Sequence, residues 1–224
     1  MALLLEEKEK RRRRRKLLDM YPDEGPLRRE LYARHMEFFR LGKIHRERLF
    51  MAANRVGKTE GAGGFELALH LTGLYPPWWE GRTFDGPISA WTAGTTNQTT
   101  RDILQAKLCG RGDAVGTGLI PGDRIVTTYK KSGSADAYEF ITVEHVSGGL
   151  SRLGFKTYEQ GRKAFEGTEQ HVILLDEEPT MAIYTECLTR TMTTRGLVMV
   201  TFTPLQGISA VVLSFLPEGR VAHE

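Results

Sequence analysis

The sequence predicts one α/β domain in which helices flank a mainly parallel sheet. Three short apolar runs support this prediction, because continuous apolar segments of strand length are typical of strands buried on both faces. These runs are residues 48–53, 171–175 and 197–202. Residues 59–71 and 180–194 have the apolar spacing of helices and follow the first two runs. A chain of 224 residues is long enough for one such domain and too short for two large ones.

The remaining segments complete the order of predicted elements. Before the first strand, residues 1–45 are predicted to form a basic helical arm, and residues 46–224 the domain itself. Residues 88–92 read as a strand and residues 101–108 as its helix, capped by Asn97 or Thr99. Three β-like segments divided by Gly- and Ser-rich turns are predicted to form hairpins at one sheet edge: 124–129, 138–143 and 153–158.

The turn between the first strand and its helix has the composition of a phosphate-binding loop. Gly57 lets the backbone approach phosphate without a Cβ, and the first N–H groups of the helix point toward it. Lys58 supplies a cation, and Thr59 offers its hydroxyl to Mg²⁺. Ala52 stands where the usual pattern has its first glycine. The predicted nucleotide-binding residues are Ala53, Asn54, Arg55, Val56, Gly57, Lys58, Thr59 and Glu60.

Two adjacent acids follow the second apolar run. Ligands bind at the carboxyl ends of parallel strands, so Asp176 is predicted to hold Mg²⁺ together with Thr59. Glu177 is placed to polarise an attacking water, which favours hydrolysis of a nucleoside triphosphate over transfer to a small acceptor. The alternative interpretation is a solvated acidic loop after a core strand.

Hydroxyl groups end the third apolar run. Thr201 and Thr203 are predicted to sense whether a γ-phosphate or its water is present, because parallel neighbours bring their carboxyl ends to one crevice. The alternative is a loop that simply stops at Pro204.

Charge and cysteine content narrow the class of protein. The formal net charge is +3, and the positive charge is concentrated near the N-terminus. Residues 1–50 carry 15 Lys and Arg against 9 Asp and Glu, and the densest positive charge is at Arg11–Arg15. This peak is interpreted either as a contact for DNA or an acidic protein, or as a solvated tail. Two cysteines without metal-ligand spacing indicate a reducing compartment, and no membrane span or signal peptide is predicted. A cytosolic protein is expected.

Four segments together resemble a known family. Residues 54–59, 175–179 and 201–204, with the aromatic loop at 75–81, resemble the ATPase domain of the large terminase subunit of tailed double-stranded-DNA bacteriophages. The resemblance spans about residues 27–215 and rests on several motifs in the same order. It implies a P-loop NTPase fold of the ASCE type, in which Lys58 and Thr59 belong to Walker A and Asp176 to Walker B.

The resemblance also implies a function and partners. The protein would be an ATP-driven motor that moves viral double-stranded DNA into a procapsid, in the host cell cytoplasm. Glu177, Arg55 and Lys58 would be catalytic, Thr201 and Thr203 would couple nucleotide state to DNA grip, and Arg162 or Arg152 would act on a neighbouring subunit. The implied partners are a portal protein, a small terminase subunit and further copies in a ring, expected as a pentamer. A C-terminal nuclease domain is not found in this sequence, so nuclease activity is not expected.

Other functions stay open from the residues alone. The first alternative is another P-loop enzyme, either a helicase-like ATPase or a kinase. The second is a non-catalytic DNA-binding assembly module with a degenerate phosphate loop, which Ala52 favours and the intact Lys58 and Asp176 oppose.

Overall fold

The fold is centred on a seven-stranded sheet. The computed structural model describes residues 4, 6, 16–53, 55–112, 114–134, 136–204, 207 and 209–216. The strands in this part are β1 (Glu47–Met51), β2 (Ser89–Gly94), β3 (Ile125–Lys130), β4 (Tyr138–Glu144), β5 (Leu150–Thr157), β6 (Val172–Asp176) and β7 (Leu197–Phe202). Their order across the sheet is β1-β7-β6-β2-β5-β4-β3.

Most of the sheet is parallel, as predicted. β1, β7, β6, β2 and β5 pair in parallel, whereas β3, β4 and β5 form an antiparallel meander at one edge. All residues of β6 and β7 are buried, which explains why these two strands are continuous apolar runs. β7 separates β1 from β6, so the strand before the phosphate loop and the strand before the acids are not neighbours.

Helices cover both faces of the sheet. They are α1 (Ala33–Leu41), α2 (Phe65–Thr72), α3 (Asn97–Thr99, continuing through π-helical Thr100–Gln105 to Ala106–Cys109), α4 (Met181–Arg190) and α5 (Ala210–Ser214). A π-helical segment, Lys58–Gly64, leads into α2, and short 3₁₀ turns lie at Arg29–Tyr32, Tyr158–Gln160 and Arg162–Phe165. The N-cap of α3 is Thr96 instead of Asn97 or Thr99, because its hydroxyl accepts from the Thr99 N–H.

The N-terminal segment packs on one face of this sheet. Leu17, Tyr21 and Phe39 are buried in the same apolar cluster as Phe65 of α2. The two tryptophans of the 75–81 loop pack beside them, with ring centroids of Trp79 and Phe39 5.0 Å apart. The loop therefore packs against the domain. The basic run at 11–15 lies outside the described residues, and the division of the chain at residue 45 stays a prediction.

A buried polar network ties β1 to α2. Arg48 donates to both carboxylate oxygens of Glu66 at 3.0 and 2.6 Å, and both side chains are at most 3% exposed. His70 Nε2 lies 3.1 Å from Glu66 Oε1, and its Nδ1 lies 2.9 Å from the Tyr75 hydroxyl. Burial raises the pKa of Glu66, but Arg48 and His70 outweigh it and hold that pKa below its ordinary value. Burial lowers the pKa of His70.

This network predicts loss of stability in acid. Below about pH 6.5 the unfolded chain takes up a proton that folded His70 resists, so the free energy of unfolding falls. The lowered pKa of Glu66 adds a further loss below about pH 4.3. We expect the melting temperature to fall between about pH 7.5 and 5.5, measured by circular dichroism.

His70→Gln is the matched variant for this prediction. It should flatten only part of the slope, because burial also lowers the pKa of His35, His145 and His171. An identical slope in the variant and in the unmodified chain would contradict the contribution assigned to His70.

Candidate functional site

The three polar motifs meet at the carboxyl edge of the parallel strands. The phosphate loop leaves β1, the two acids end β6, and Thr201 and Thr203 lie at the end of β7. In the parallel register, Thr201 of β7 lies beside Asp176 of β6 on one side and beside Phe50 of β1 on the other. The phosphate loop thus forms one crevice with two segments that lie more than 100 residues away in sequence, as predicted for parallel neighbours.

The backbone of the phosphate loop has two left-handed residues. Arg55 has a φ of 65° and Gly57 a φ of 83°. The Gly57 carbonyl accepts from the N–H groups of Gly61 and Ala62 at 2.7 and 3.0 Å, which closes the first turn of the π-helical segment. A Cβ at Gly57 would lie 3.2 Å from His35 Cε1, so this glycine is needed for both its conformation and its packing. Asn54 lies outside the described residues.

Lys58 turns inward from the start of the helix. The residue is 7% exposed, and its Nζ donates to the Ala53 carbonyl at 3.0 Å and to Thr203 Oγ1 at 2.7 Å. The ammonium group therefore connects the phosphate loop to the end of β7. This arrangement brings together the predicted phosphate ligand and one of the two predicted coupling residues.

Asp176 receives hydroxyl donors from two sides. Its Oδ1 accepts from Thr59 Oγ1 at 2.7 Å and from Thr201 Oγ1 at 2.8 Å, and the residue is 5% exposed. Burial raises the pKa of this carboxyl group, although both hydroxyl donors act in the opposite direction. Thr59 and Asp176 are thus positioned to share a small divalent cation. This set suits Mg²⁺, because Mg²⁺ binds few protein oxygens and keeps several waters.

Glu177 lies next to this cluster but at its solvent-facing side. Its backbone is left-handed with a φ of 64°, and its N–H donates to the Thr201 carbonyl at 2.9 Å. Partial burial, and then the negative charge of Asp176, raise the pKa of its carboxyl group above the ordinary value. A carboxylate with a raised pKa is a better proton acceptor than an ordinary one.

Glu60 is held by two lysines at the rim of the crevice. Its carboxylate lies 2.7 Å from Lys16 Nζ and 3.6 Å from Lys107 Nζ. Burial opposes the charge on Glu60, but these lysines outweigh it and hold the pKa below its ordinary value. The predicted nucleotide-binding position at Glu60 is therefore already engaged in ion pairs with other elements.

The three predicted arginines have different surroundings. Arg55 is exposed and forms no hydrogen bond or ion pair with another described residue. Arg152 is paired with Ser89 at the amino end of β5, away from the crevice, and its guanidinium lies 3.9 Å from the Phe140 ring centroid. Arg162 forms ion pairs of 2.8 Å with two glutamates, Glu166 and Glu186. Their roles in catalysis stay predictions.

Two residues of the site had no signal in the sequence. Lys107 belongs to α3 and reaches Glu60 only because α3 packs beside the π-helical segment. Tyr158 follows β5, and its hydroxyl donates to the carbonyls of Asp176 and Glu177 at 3.1 and 2.9 Å. No motif or period links these residues to their partners, so only the packing of separate elements identifies them.

The family follows from a comparison with protein-family models. Residues 49–221 match the family "Terminase large subunit, T4likevirus-type, N-terminal". The chain belongs to this terminase family. The resemblance inferred from the motifs is therefore confirmed, and the P-loop α/β fold predicted from it agrees with the observed sheet.

Individual terminases are similar to the chain over most of its length. It is 38% identical over 205 residues to the large terminase subunit of Salmonella phage P22, which covers 83% of this chain and 41% of that protein. In the structure of a large terminase from the thermophilic bacteriophage D6E, the alignment covers 77% of this chain and 38% of that protein, at a TM-score of 0.49 and 12% identity. For a variant of the ATPase domain of the Thermus phage P74-26 large terminase, the alignment covers 77% of this chain and 66% of that domain's chain, at a TM-score of 0.47 and 14% identity.

The terminase chain thus spans about two fifths of the length of its P22 relative. Within its described residues, no helix has the length and apolar character needed to cross a bilayer.

Proposed function

We propose that this terminase chain hydrolyses ATP in a Mg²⁺-dependent reaction and that hydrolysis drives movement of viral double-stranded DNA into a procapsid. The observation that supports this most is the convergence of Thr59 and Thr201 on Asp176, with Glu177 adjacent. A phosphate-binding loop, a buried carboxylate and a partly desolvated second carboxylate are the parts that triphosphate hydrolysis requires.

Each residue has a defined task in this proposal. The Lys58 ammonium and the N–H groups at the start of the π-helical segment bind the phosphate oxygens. Thr59 and Asp176 hold Mg²⁺, which when bound neutralises charge on the phosphate oxygens. Glu177 orients the attacking water and accepts its proton. Arg55, an exposed residue of the loop, is available to contact the γ-phosphate.

Coupling would begin at the contact between Lys58 and Thr203. A phosphate in the loop competes with Thr203 for the ammonium group. The contact between Lys58 and the end of β7 therefore depends on whether nucleotide is bound. Thr201 makes a second such contact, because its hydroxyl donates to the same carboxylate as Thr59. We propose that these two residues relay nucleotide state to the DNA-gripping surface.

The partners belong to the same proposal. Double-stranded DNA, a portal protein, a small terminase subunit and a pentameric ring of this chain would complete the motor in the host cytoplasm. The family supports the part of this proposal that concerns DNA, the portal and the small subunit. In the ring, one of Arg162 and Arg152 would act on the nucleotide of the neighbouring subunit.

Steady-state ATP hydrolysis with Mg²⁺, titrated with double-stranded DNA, tests the enzymatic part. We expect Glu177→Gln to lower kcat by about 10²–10⁴-fold, because it removes the proton acceptor and keeps the side-chain volume. Binding of ATP by the variant should stay near that of the unmodified chain, measured by titration calorimetry. Binding without hydrolysis in the unmodified chain, at any DNA or protein concentration, would instead support a non-catalytic assembly module.

The pH profile gives an independent reading of Glu177. Because the residue acts in its deprotonated form, kcat should rise with pH through the pKa that Glu177 has in the nucleotide complex. The rise should be absent from the residual activity of Glu177→Gln.

A further inference from the structure

The backbone conformation of Glu177 needs a physical explanation. Its φ of 64° is left-handed, a region that costs a residue with a side chain about 1–3 kcal/mol and persists only where the surroundings enforce it. One restraint is the hydrogen bond from its N–H to the Thr201 carbonyl. That bond fixes the peptide group before Glu177 and leaves the one after it unrestrained.

A second restraint comes from Tyr158. Its hydroxyl lies 3.1 Å from the Asp176 carbonyl oxygen and 2.9 Å from the Glu177 carbonyl oxygen. These two carbonyl groups flank the Glu177 Cα, so their relative direction is set by φ and ψ of that residue. A single hydroxyl group that bridges both oxygens therefore restrains these two angles, here in the left-handed conformation that the structure shows.

Tyr158 is itself held firmly. It begins the 3₁₀ turn after β5, where Thr157 N donates to Gln160 Oε1 and the N–H of Glu159 donates to the Thr95 carbonyl. The ring packs against the apolar cluster between the sheet and α4. Burial, and then the charge of Asp176, raise the pKa of the hydroxyl well above its ordinary value, so it remains a donor at any working pH.

We infer that Tyr158 is a positioning residue for Glu177. Its hydroxyl holds the backbone of Glu177, and the backbone in turn holds the carboxylate in the direction needed to orient the attacking water. This inference rests on the proposed function, because it assigns Tyr158 a role only if Glu177 serves hydrolysis. The side chain of Asp176 is held separately by Thr59 and Thr201, so loss of the Tyr158 hydroxyl leaves the nucleotide- and metal-binding groups in place.

Tyr158→Phe removes the hydroxyl and keeps the ring. Misplacement of a catalytic group by about 1 Å costs up to roughly 10²-fold in rate, so we expect kcat to fall about 10-fold. KM for ATP and the ATP dissociation constant should change by less than about 2-fold, since the binding groups are unaffected. This separation of kcat from binding is not expected from general loosening of the fold.

Tyr184→Phe is the matched control. Tyr184 lies in the same apolar cluster, and its hydroxyl donates to the Glu47 carboxylate at 2.8 Å, away from the acids of β6. Both variants should lower the melting temperature to a similar degree, but only Tyr158→Phe should lower kcat. Equal kcat in Tyr158→Phe and the unmodified chain would overturn the inference.

A double variant separates positioning from any other effect. In a Glu177→Gln background, measured by single-turnover hydrolysis, Tyr158→Phe should cause no further loss of rate. A further 10-fold loss in that background would show that Tyr158 acts independently of Glu177 and would overturn the inference.

Failure of the inference is distinct from failure of the proposed function. An unmodified chain without ATP hydrolysis, or full activity in Glu177→Gln, would remove the proposed function. An active chain that depends on Glu177 but tolerates Tyr158→Phe would remove only the positioning role.

Discussion

Lys58→Ala is expected to lower kcat/KM for ATP by about 10²–10³-fold. A preorganised donor aimed at developing charge contributes about this much, and Lys58 is 7% exposed and oriented toward the loop by its bonds to the Ala53 carbonyl and Thr203. Unlike Glu177→Gln, this variant should weaken nucleotide binding as well as turnover, because the ammonium contacts phosphate before and during the reaction. Steady-state kinetics and titration calorimetry measure the two effects.

Two further variants make this result specific. Lys58→Arg should recover little activity, because a planar guanidinium cannot take the place of a compact ammonium between the loop and β7. Lys130→Ala is the control: Lys130 lies on β3, 69% exposed and paired with Asp136, so its loss should leave ATP hydrolysis within about 2-fold. ATP hydrolysis by Lys58→Ala within about 3-fold of the unmodified chain would exclude Lys58 from the site.

The largest expected effect on stability comes from Glu66→Ala. It leaves the Arg48 guanidinium buried without its carboxylate, a change that costs about 3–5 kcal/mol, or roughly 6–20 °C in melting temperature for a domain of this size. His70 also loses its Glu66 contact, which adds to the loss. Thermal unfolding followed by circular dichroism measures the effect.

Replacing both partners distinguishes a stranded charge from lost packing. Arg48→Met combined with Glu66→Leu removes both charges and keeps apolar volume, so it should be less destabilising than Glu66→Ala alone. The pair of Arg124 and Glu144 is the control, since Glu144 is 52% exposed and Arg124 is half-buried; Glu144→Ala should cost no more than about 1 kcal/mol. A double variant as unstable as Glu66→Ala would mean that packing, not the uncompensated charge, causes the loss.

Destabilisation at Glu66 should also reach the phosphate loop. Arg48 is in the strand that enters the loop and Glu66 is in the helix that leaves it, so their ion pair closes the base of the loop. The affinity for ATP and the free energy of unfolding are therefore linked. ATP should raise the melting temperature of the unmodified chain.

The parts predicted from the sequence are those encoded locally. Apolar runs as continuous as β6 and β7 need burial on both faces, and the Gly57-Lys58-Thr59 turn between a strand and a helix has few other uses. The antiparallel β3–β5 meander was predicted at a sheet edge because its segments are short and divided by turn residues. The helix predicted at 180–194 ends earlier, at Arg190, because a run of turns follows it.

Contacts between distant segments become visible only in the folded chain. The sequence alone indicates the fold class and the family and predicts which hydroxyls, acids and cations form the candidate nucleotide site, because each of these follows from residue type and local spacing. It does not reveal that Lys58 contacts Thr203, that Thr201 shares Asp176 with Thr59, or that the Tyr158 hydroxyl donates to the Glu177 carbonyl. Those contacts depend on strand order and on the packing of separate elements, and neither leaves a periodic signal in the chain.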